Sequence, residues 1–417
     1  MANDAFLTDV ERSNGTWPSP PNALSYSTLA EVEHCPRRWM LRHATFPDIW
    51  SRRGYPDNPF LATLKGEVLH GALEVIVRAM ATHHCDGHDG PCRVIVLKDL
   101  GGYSVVLRSV SEAVLSSLHT NPRVARRMDA IRRALTLEMP ELRRGVQTTI
   151  ARSDVVAGTS GATPRSSEER TRAIGIGSHA EVELRVPSMG WIGKADLISL
   201  DADNCRITDY KTGVPQEDHE AQLRIYALLW ARDAAVNPSG RIATELVVAY
   251  PTREEVFPAP DRDELDRLED DLRTRSAAAL GSMIERPPTA RPEATFCSHC
   301  QVRQLCNPYW DHLADSVASG SVASADRAID VELLVDARNG PRTWLATVQR
   351  GFGIEQQRSV VIRSHEETAA YGVGELMRVL NVRIERDEEH DLIFLATSDY
   401  SEVFPLTNRA PSGGARQ

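Results

Sequence analysis

The chain has 417 residues, 41% apolar and 25% charged, with a formal net charge of −10. That is the balance of an ordinary globular protein with room for two or three domains, and it argues against a generic nucleic-acid coat protein, although an acidic chain can carry a local basic groove. No apolar run approaches the roughly 20 residues that span a bilayer, and residues 1–15 lack the basic-then-apolar order of a secretory signal, so a cytoplasmic location is expected. Seven cysteines, an odd number, then point to metal ligands or plain thiols rather than disulfides.

Residues 1–22 are polar and proline-bearing and read as a loose arm. Ser25 or Ser27 would cap a helix whose apolar spacing runs through Leu29 and Val32. Cys35 follows, and a lone cysteine in a helix is usually a small buried hydrophobe. Residues 65–81 form a strong helix with Leu69, Leu73, Ile76, Val77 and Met80 as its apolar stripe; His70 lies at the edge of that stripe. The segment 83–92 is rich in His and Cys but has no recognisable zinc spacing, so it reads as a polar loop or a metal site.

Residues 105–152 are helical in pattern, with Pro122 and Pro140 as breaks. Arg123, Arg126, Arg127, Arg132, Arg133, Arg143 and Arg144 cluster there, either as a basic surface or as a solvated helix face. Residues 153–169 are rich in small polar residues and read as mobile. Residues 180–186 alternate and form a strand on which Glu181 and Glu183 share a face; either could assist a metal, and a solvated strand face explains both equally.

Residues 191–213, WIGKADLISLDADNCRITDYKTG, read as two strands around the turn Asp201-Ala202-Asp203-Asn204. A symmetric four-residue loop sets Leu200 against Cys205, and therefore Asp196 against Asp209. Opposed residues have Cβ atoms about 4.5–5.5 Å apart, where like charges repel. A hard divalent ion such as Mg²⁺ between the carboxylates would relieve this. Lys211, two residues beyond Asp209, shares its face. Two acids and a lysine at a metal suit water-driven phosphodiester cleavage; an edge hairpin with solvated charges gives the same pattern. Gln222 and Tyr226 project from one face of the helix that follows. Residues 241–250 read as a strand and 261–285 as a long charged helix.

Cys297, Cys300 and Cys306, with Cys35, make four thiolates that could hold zinc or a [4Fe–4S] cluster. Residues 315–326 read as a small-residue linker. In 327–407, segments 331–335, 343–349, 358–363 and 391–396 read as strands, and 372–380 as strand or short helix, which suggests a small barrel of the OB-fold type. Trp344, Phe352, Tyr371 and Tyr400 are either its core or a base-stacking surface. Residues 408–417 read as disordered.

The run Gly193-Lys194-Ala195-Asp196, then Asp209-Tyr210-Lys211, then Gln222 and Tyr226 resembles the RecB-type branch of the PD-(D/E)XK nucleases. His70 matches that family's upstream histidine. The segments 24–29 and 35–39, LSYSTL and CPRRW, with the late cysteine trio, resemble its iron–sulfur members of the AddB and CRISPR-associated type. The resemblance implies an α/β restriction-endonuclease-like nuclease domain over 23–314 with a helical insertion at 72–175. It implies Mg²⁺ or Mn²⁺ held by His70, Asp196, Asp209 and the Tyr210 carbonyl, with Lys211 acting on the attacking water. Gln222 and Tyr226 would position the scissile strand. It further implies a [4Fe–4S] staple on Cys35, Cys297, Cys300 and Cys306, and single-stranded DNA as partner. Because no helicase motif is present, unwinding would fall to a helicase or defence-complex partner. A non-cleaving DNA-binding or scaffold subunit of the same fold is the alternative, and the intact Asp196, Asp209 and Lys211 argue against it.

Overall fold

The computed structural model describes Val10 and residues 15–85, 90–153, 155–157, 173–213, 218–318, 328–366 and 371–406. The sequence expectations for 1–9, for most of 153–169, for most of the 315–326 linker and for 408–417 lie outside the described residues. In chain order the longer helices are α1 (Tyr26–His34), α2 (Pro36–His43), α3 (Leu61–Thr82), α4 (Gly90–Asp99), α5 (Tyr103–Leu118), α6 (Met128–Arg152), α7 (Asp218–Arg232), α8 (Arg262–Ser282) and α9 (Asn307–Ala318). Contacts sort the chain into two units. One comprises Ser19–His34 and Pro56–Glu285, the other Met1–Pro18, Cys35–Tyr55 and Arg286–Gln417.

The first unit is built on a five-stranded sheet: β1 (Gly177–Val186), β2 (Trp191–Leu200), β3 (Cys205–Tyr210), β4 (Glu245–Ala249) and β5 (Glu254–Pro258), in that spatial order. All neighbours are antiparallel except β3 and β4, and α7 lies in the connection between those two. The expected hairpin register holds: Leu200 pairs with Cys205 and Leu197 with Thr208. Asp201 Oδ1 accepts from the amides of Asp203 at 2.8 Å and Asn204 at 2.6 Å, which is the turn chemistry that sets it.

α3 buries Leu64, Val68, Leu69, Ala72, Leu73, Ile76, Val77 and Met80. These recur at three- and four-residue steps and face one core shared with α5, α6, Ala180, Leu197 and Tyr210. Each large aliphatic side chain buried this way stabilises the fold by roughly 1.5–3 kcal/mol. α6 continues through Pro140, where the sequence suggested a break. Leu135 before Pro140 and Leu142 and Val146 after it are buried in that same core, and this packing outweighs the lost backbone bond. Cys85 and Cys92 form a disulfide with Cα atoms 5.6 Å apart. This corrects the expectation of metal ligands or plain thiols rather than disulfides: α3 ends at Thr82 and α4 opens at Gly90, which leaves the two cysteines close in the chain at the junction of the helices. Residues 86–89 of that loop lie outside the described residues.

The second unit contains β6 (Ile329–Arg338), β7 (Thr343–Gly351), β8 (Ser359–Arg363), β9 (Leu376–Asp387), β10 (Leu392–Ala396) and β11 (Glu402–Pro405). The first five close into a barrel in the ring order β6-β7-β8-β10-β9, with β8 and β10 parallel and β11 appended to β9. A five-stranded closed sheet fits the expected OB-like barrel. Trp344 and Tyr371 belong to its core, ring centroids 4.8 Å apart. Tyr400 is exposed and Phe352 packs at the margin. Charged groups buried with their partners tie the barrel to the cysteine-bearing segment. Arg303 donates to Asp330 at 2.5 Å, and Asp330 also accepts from the Tyr309 hydroxyl at 2.8 Å. Arg378 bonds Glu332 at 2.9 Å and the Asn307 side chain at 2.6 Å.

Candidate metal centre and the residues around it

The hairpin ladder stops one pair short of the acids. After Leu197–Thr208 the strands splay, and the Tyr210 amide donates instead to Asp196 Oδ2 at 2.7 Å. The Asp196 side chain is thereby held by backbone, and Asp209 stands across from it, 3% exposed. His70, from the middle of α3, brings Nδ1 to 3.4 Å from Asp196 Oδ2. Its ring meets the Tyr210 ring edge-on at 6.3 Å. The helix that carries it is fixed closely: a Cβ on Gly145 of α6 would lie 3.1 Å from Leu69 Cδ1.

Glu181 completes the cluster. It sits opposite Asp196, between the pairs Ala180–Leu197 and Val182–Ala195, with φ of +57°. A left-handed residue inside a strand is uncommon for anything but glycine and turns its side chain away from the regular pleat. The ligand atoms of His70, Glu181 and Asp196 all lie within 4.8 Å of one another, and Glu181 also pairs with Lys194. Glu183 lies apart from this group, paired with Arg185 at 3.1 Å. Of the two glutamates left open by the sequence, only Glu181 reaches the cluster.

On the other side of Asp209, Lys211 Nζ lies 2.7 Å from Oδ2. No donor is aligned on that buried oxygen as a hydrogen bond. Lys211 donates to Gln222 Oε1 at 2.8 Å, and Gln222 Nε2 donates to the Tyr226 hydroxyl at 2.6 Å. The four side chains form one relay, and the i, i+4 spacing on α7 read from sequence is what permits its last step. Gly193 is needed beneath it: a Cβ there would stand 2.7 Å from Leu229 Cδ1 and 3.1 Å from the Tyr226 ring. His219, one turn before Gln222, was missed in the sequence. Its Nδ1 is 2.7 Å from the Tyr250 hydroxyl, and burial together with the nearby Lys211 charge lowers its pKa. A histidine three residues before the glutamine was the available signal.

Burial, reinforced by Asp196, pushes Asp209 up to about 6 despite Lys211. Burial works to lower His70, but the carboxylates of Asp196, Asp209 and Glu181 outweigh it and raise its pKa. Burial raises Glu181 as well. Crowded, buried carboxylates that resist ionisation are a donor set suited to a hard divalent cation. His70 and Asp196 of the expected set fall in the tight group, Glu181 joins them, and Asp209 adjoins it. Tyr210 enters through its amide and its ring.

In the second unit Cys35, Cys297, Cys300 and Cys306 line one cavity with Arg37 and Arg38. Burial pushes Cys300 up to about 11 and Cys306 to about 12, and neighbouring cysteines add to both. Four thiols meeting in one cavity, with guanidinium groups to balance their charge, fit a thiolate-held metal or iron–sulfur group in number and chemistry. Cys205 is a buried thiol in β3, pushed up to about 12 by burial.

The sequence profile of the PD-(D/E)XK nuclease superfamily matches residues 23–307, about two thirds of the chain. No curated protein matches it. Among solved structures, tetrameric p202 HIN2 aligns at 14% identity and TM-score 0.16, covering 19% of this chain and 43% of that one. SSO0001 aligns at 22% identity and TM-score 0.21, covering 32% and 61%. A murine DNA-binding protein bound with double-stranded DNA aligns at 7% identity and TM-score 0.18, covering 56% and 96%. The chain therefore spans less than two thirds of the first two, and the scores are too low to carry an argument about fold. No described helix is long and apolar enough to cross a membrane.

Proposed function

Since the chain belongs to the PD-(D/E)XK nuclease superfamily, a family of metal-dependent nucleases, we propose that it is a RecB-like deoxyribonuclease that trims single-stranded DNA or its ends with Mg²⁺ or Mn²⁺. The observation that carries this is the gathering of Asp196, Asp209, Lys211 and His70 around one splayed hairpin. His70, Asp196, Asp209 and Glu181, with the Tyr210 carbonyl, would hold the ion. Such an ion supplies positive charge to the phosphate oxygens and to the attacking water.

The remaining work falls to the protein's own side chains. Lys211 is pinned between Asp209 and Gln222, so its side-chain nitrogen is held where the ammonium would orient a water attacking in line, or the neutral amine would take a proton from it. Gln222 and Tyr226, bonded to each other, present a fixed edge to the scissile strand. The Lys211–Gln222 bond couples strand position to water position. Cys35, Cys297, Cys300 and Cys306 would hold a [4Fe–4S] cluster that joins the start of the nuclease to its end. Closing so long a loop removes entropy from the unfolded chain. The barrel would dock a partner, a helicase or defence-complex protein, that supplies the unwinding, and the protein would act in the cytoplasm.

The test is incubation of purified protein with 5′- and 3′-labelled single- and double-stranded DNA in Mn²⁺ or EDTA. Cleavage that requires the metal and Asp209 supports the reading. Intact DNA in every lane overturns it in favour of a binding subunit.

A further inference from the structure

The Gln222–Tyr226 pair has a second side. Gln222 Oε1 is turned to Lys211, while the two side chains also line a recess of about 270 Å³ with Ser25, Tyr26, Arg185, Gly193 and Lys194. That is just below the ~300–1,000 Å³ of ordinary ligand pockets, room for one nucleotide unit and not for a duplex. We propose that this recess is the subsite for the nucleotide adjoining the scissile phosphate. The proposal deepens the nuclease reading and rests on it.

The lining has the chemistry of a nucleotide. Arg185 and Lys194 are cations, and their side chains are 53% and 55% exposed. Each pairs with a carboxylate from β1, Arg185 with Glu183 and Lys194 with Glu181. The Arg185–Glu183 pair is exposed on both sides and such pairs are weak, roughly 0–1 kcal/mol, so a phosphate can take the place of Glu183 at little cost, and the guanidinium grips it in bidentate fashion. Tyr26 offers an aromatic ring for a base, and its hydroxyl is anchored on the Asp218 carbonyl at 3.1 Å. The Ser25 hydroxyl is held at the helix start, accepting from the Thr28 amide at 3.2 Å, and the Ser27 hydroxyl beside it, 3.0 Å away, can turn to a sugar or base edge. Gly193 sets the floor, since a side chain there would displace Tyr226. Lys194 also touches Glu181 of the metal cluster, so an occupant of the recess is continuous with a phosphate at that cluster.

Two substitutions of opposite sign test this. Arg185→Gln removes the phosphate donor; Glu183→Gln frees Arg185 from its competing carboxylate. Binding of thymidine 5′-monophosphate is measured by calorimetry without metal, and steady-state cleavage of a short single strand with Mn²⁺. Arg185→Gln should weaken mononucleotide binding and raise KM about tenfold with kcat within about twofold, the mark of lost binding shared by ground and transition states. Glu183→Gln should tighten binding and lower KM, which a merely structural role for these exposed side chains would not produce. Cleavage by the wild type with mononucleotide binding and KM indifferent to both substitutions overturns the subsite and leaves the nuclease reading standing. Arg185-dependent mononucleotide binding by a protein that cleaves nothing supports the recess as a nucleotide site and overturns the nuclease reading instead.

Discussion

Asp330→Ala should unfold the second unit at far lower denaturant than wild type. Asp330 and Arg303 are 6% and 5% exposed. One carboxylate accepts from Arg303 at 2.5 Å, the Tyr309 hydroxyl at 2.8 Å and the Asn381 amide at 2.9 Å. Removing it leaves a buried cation without its paired carboxylate, which typically costs about 3–5 kcal/mol. The orphaned hydroxyl and amide keep the figure in the upper part of that range. With a urea slope of about 2 kcal/mol per molar, the midpoint should fall by about 2 M. Hydrogen exchange resolved to the barrel amides of β6 and β7 reads the change where it occurs, separately from the sheet unit. A companion variant carrying Arg303→Met and Asp330→Leu together removes both charges, and it should recover most of the loss because a buried pair contributes little net stability. A shift below about 0.5 M for the single variant, or no recovery in the double, would refute the claim that this ion pair joins barrel and cysteine segment.

Asp196→Ala or Asp209→Ala should abolish metal-dependent cleavage while the metal-free midpoint holds or rises, because opposed carboxylates repel; full cleavage by either purified variant refutes the assignment. Lys211→Ala should lose turnover and keep DNA affinity in a filter-binding assay, whereas normal turnover with poor binding would reassign it to phosphate contact. Anaerobically purified protein should carry iron and sulfide by elemental analysis, and Cys35→Ser should lose both and become protease-sensitive near Cys35 and Cys297; zinc without iron would end the iron–sulfur proposal. A chain ending at residue 321 lacks Asp330 and Arg378, so Arg303 and Asn307 lose buried partners. It should be protease-sensitive or insoluble, and a well-folded, fully active truncation would show that the cysteine segment stands without the barrel.

The hairpin was legible because its determinants are local. A turn of Asp and Asn residues fixes the loop length, the loop length fixes the register, and the register opposes the two acids. The Gln222–Tyr226 pair was legible for a similar reason, since helical spacing alone puts both on one face. The splay after Leu197 was not, because it depends on a backbone amide leaving the ladder for a side chain. Pro140 misled because a proline reads as a break unless the packing on both sides is known, and that packing comes from α3. The cysteine pairing at residues 85 and 92 was hidden by an argument from compartment and count. In the tail, aromatic residues read equally as core or as stacking platform; Trp344 and Tyr371 pack on each other inside the barrel. Its buried charges were least visible of all, because nothing local distinguishes Arg378 in a strand from a solvent-facing arginine.

Glu181 supports the proposal that the cluster is a metal site and not a coincidence of nearby acids. Its left-handed backbone costs of the order of 1–3 kcal/mol, and the pairs on either side stay in register, so the strand absorbs the strain at one residue. That residue is the one facing Asp196. The same place carries an electrostatic cost: burial first, and then the neighbouring Asp196 charge, raise the pKa of Asp209 and Glu181. A fold selected for stability alone would relieve both costs with a neutral or smaller side chain. A divalent cation among the carboxylates would offset their repulsion, and it would use the direction in which the left-handed backbone aims Glu181 without relieving the strain there. Backbone strain and crowded, buried carboxylates at one point, on strands otherwise regular, favour the proposed cation-binding centre over a solvated acidic edge, which requires neither.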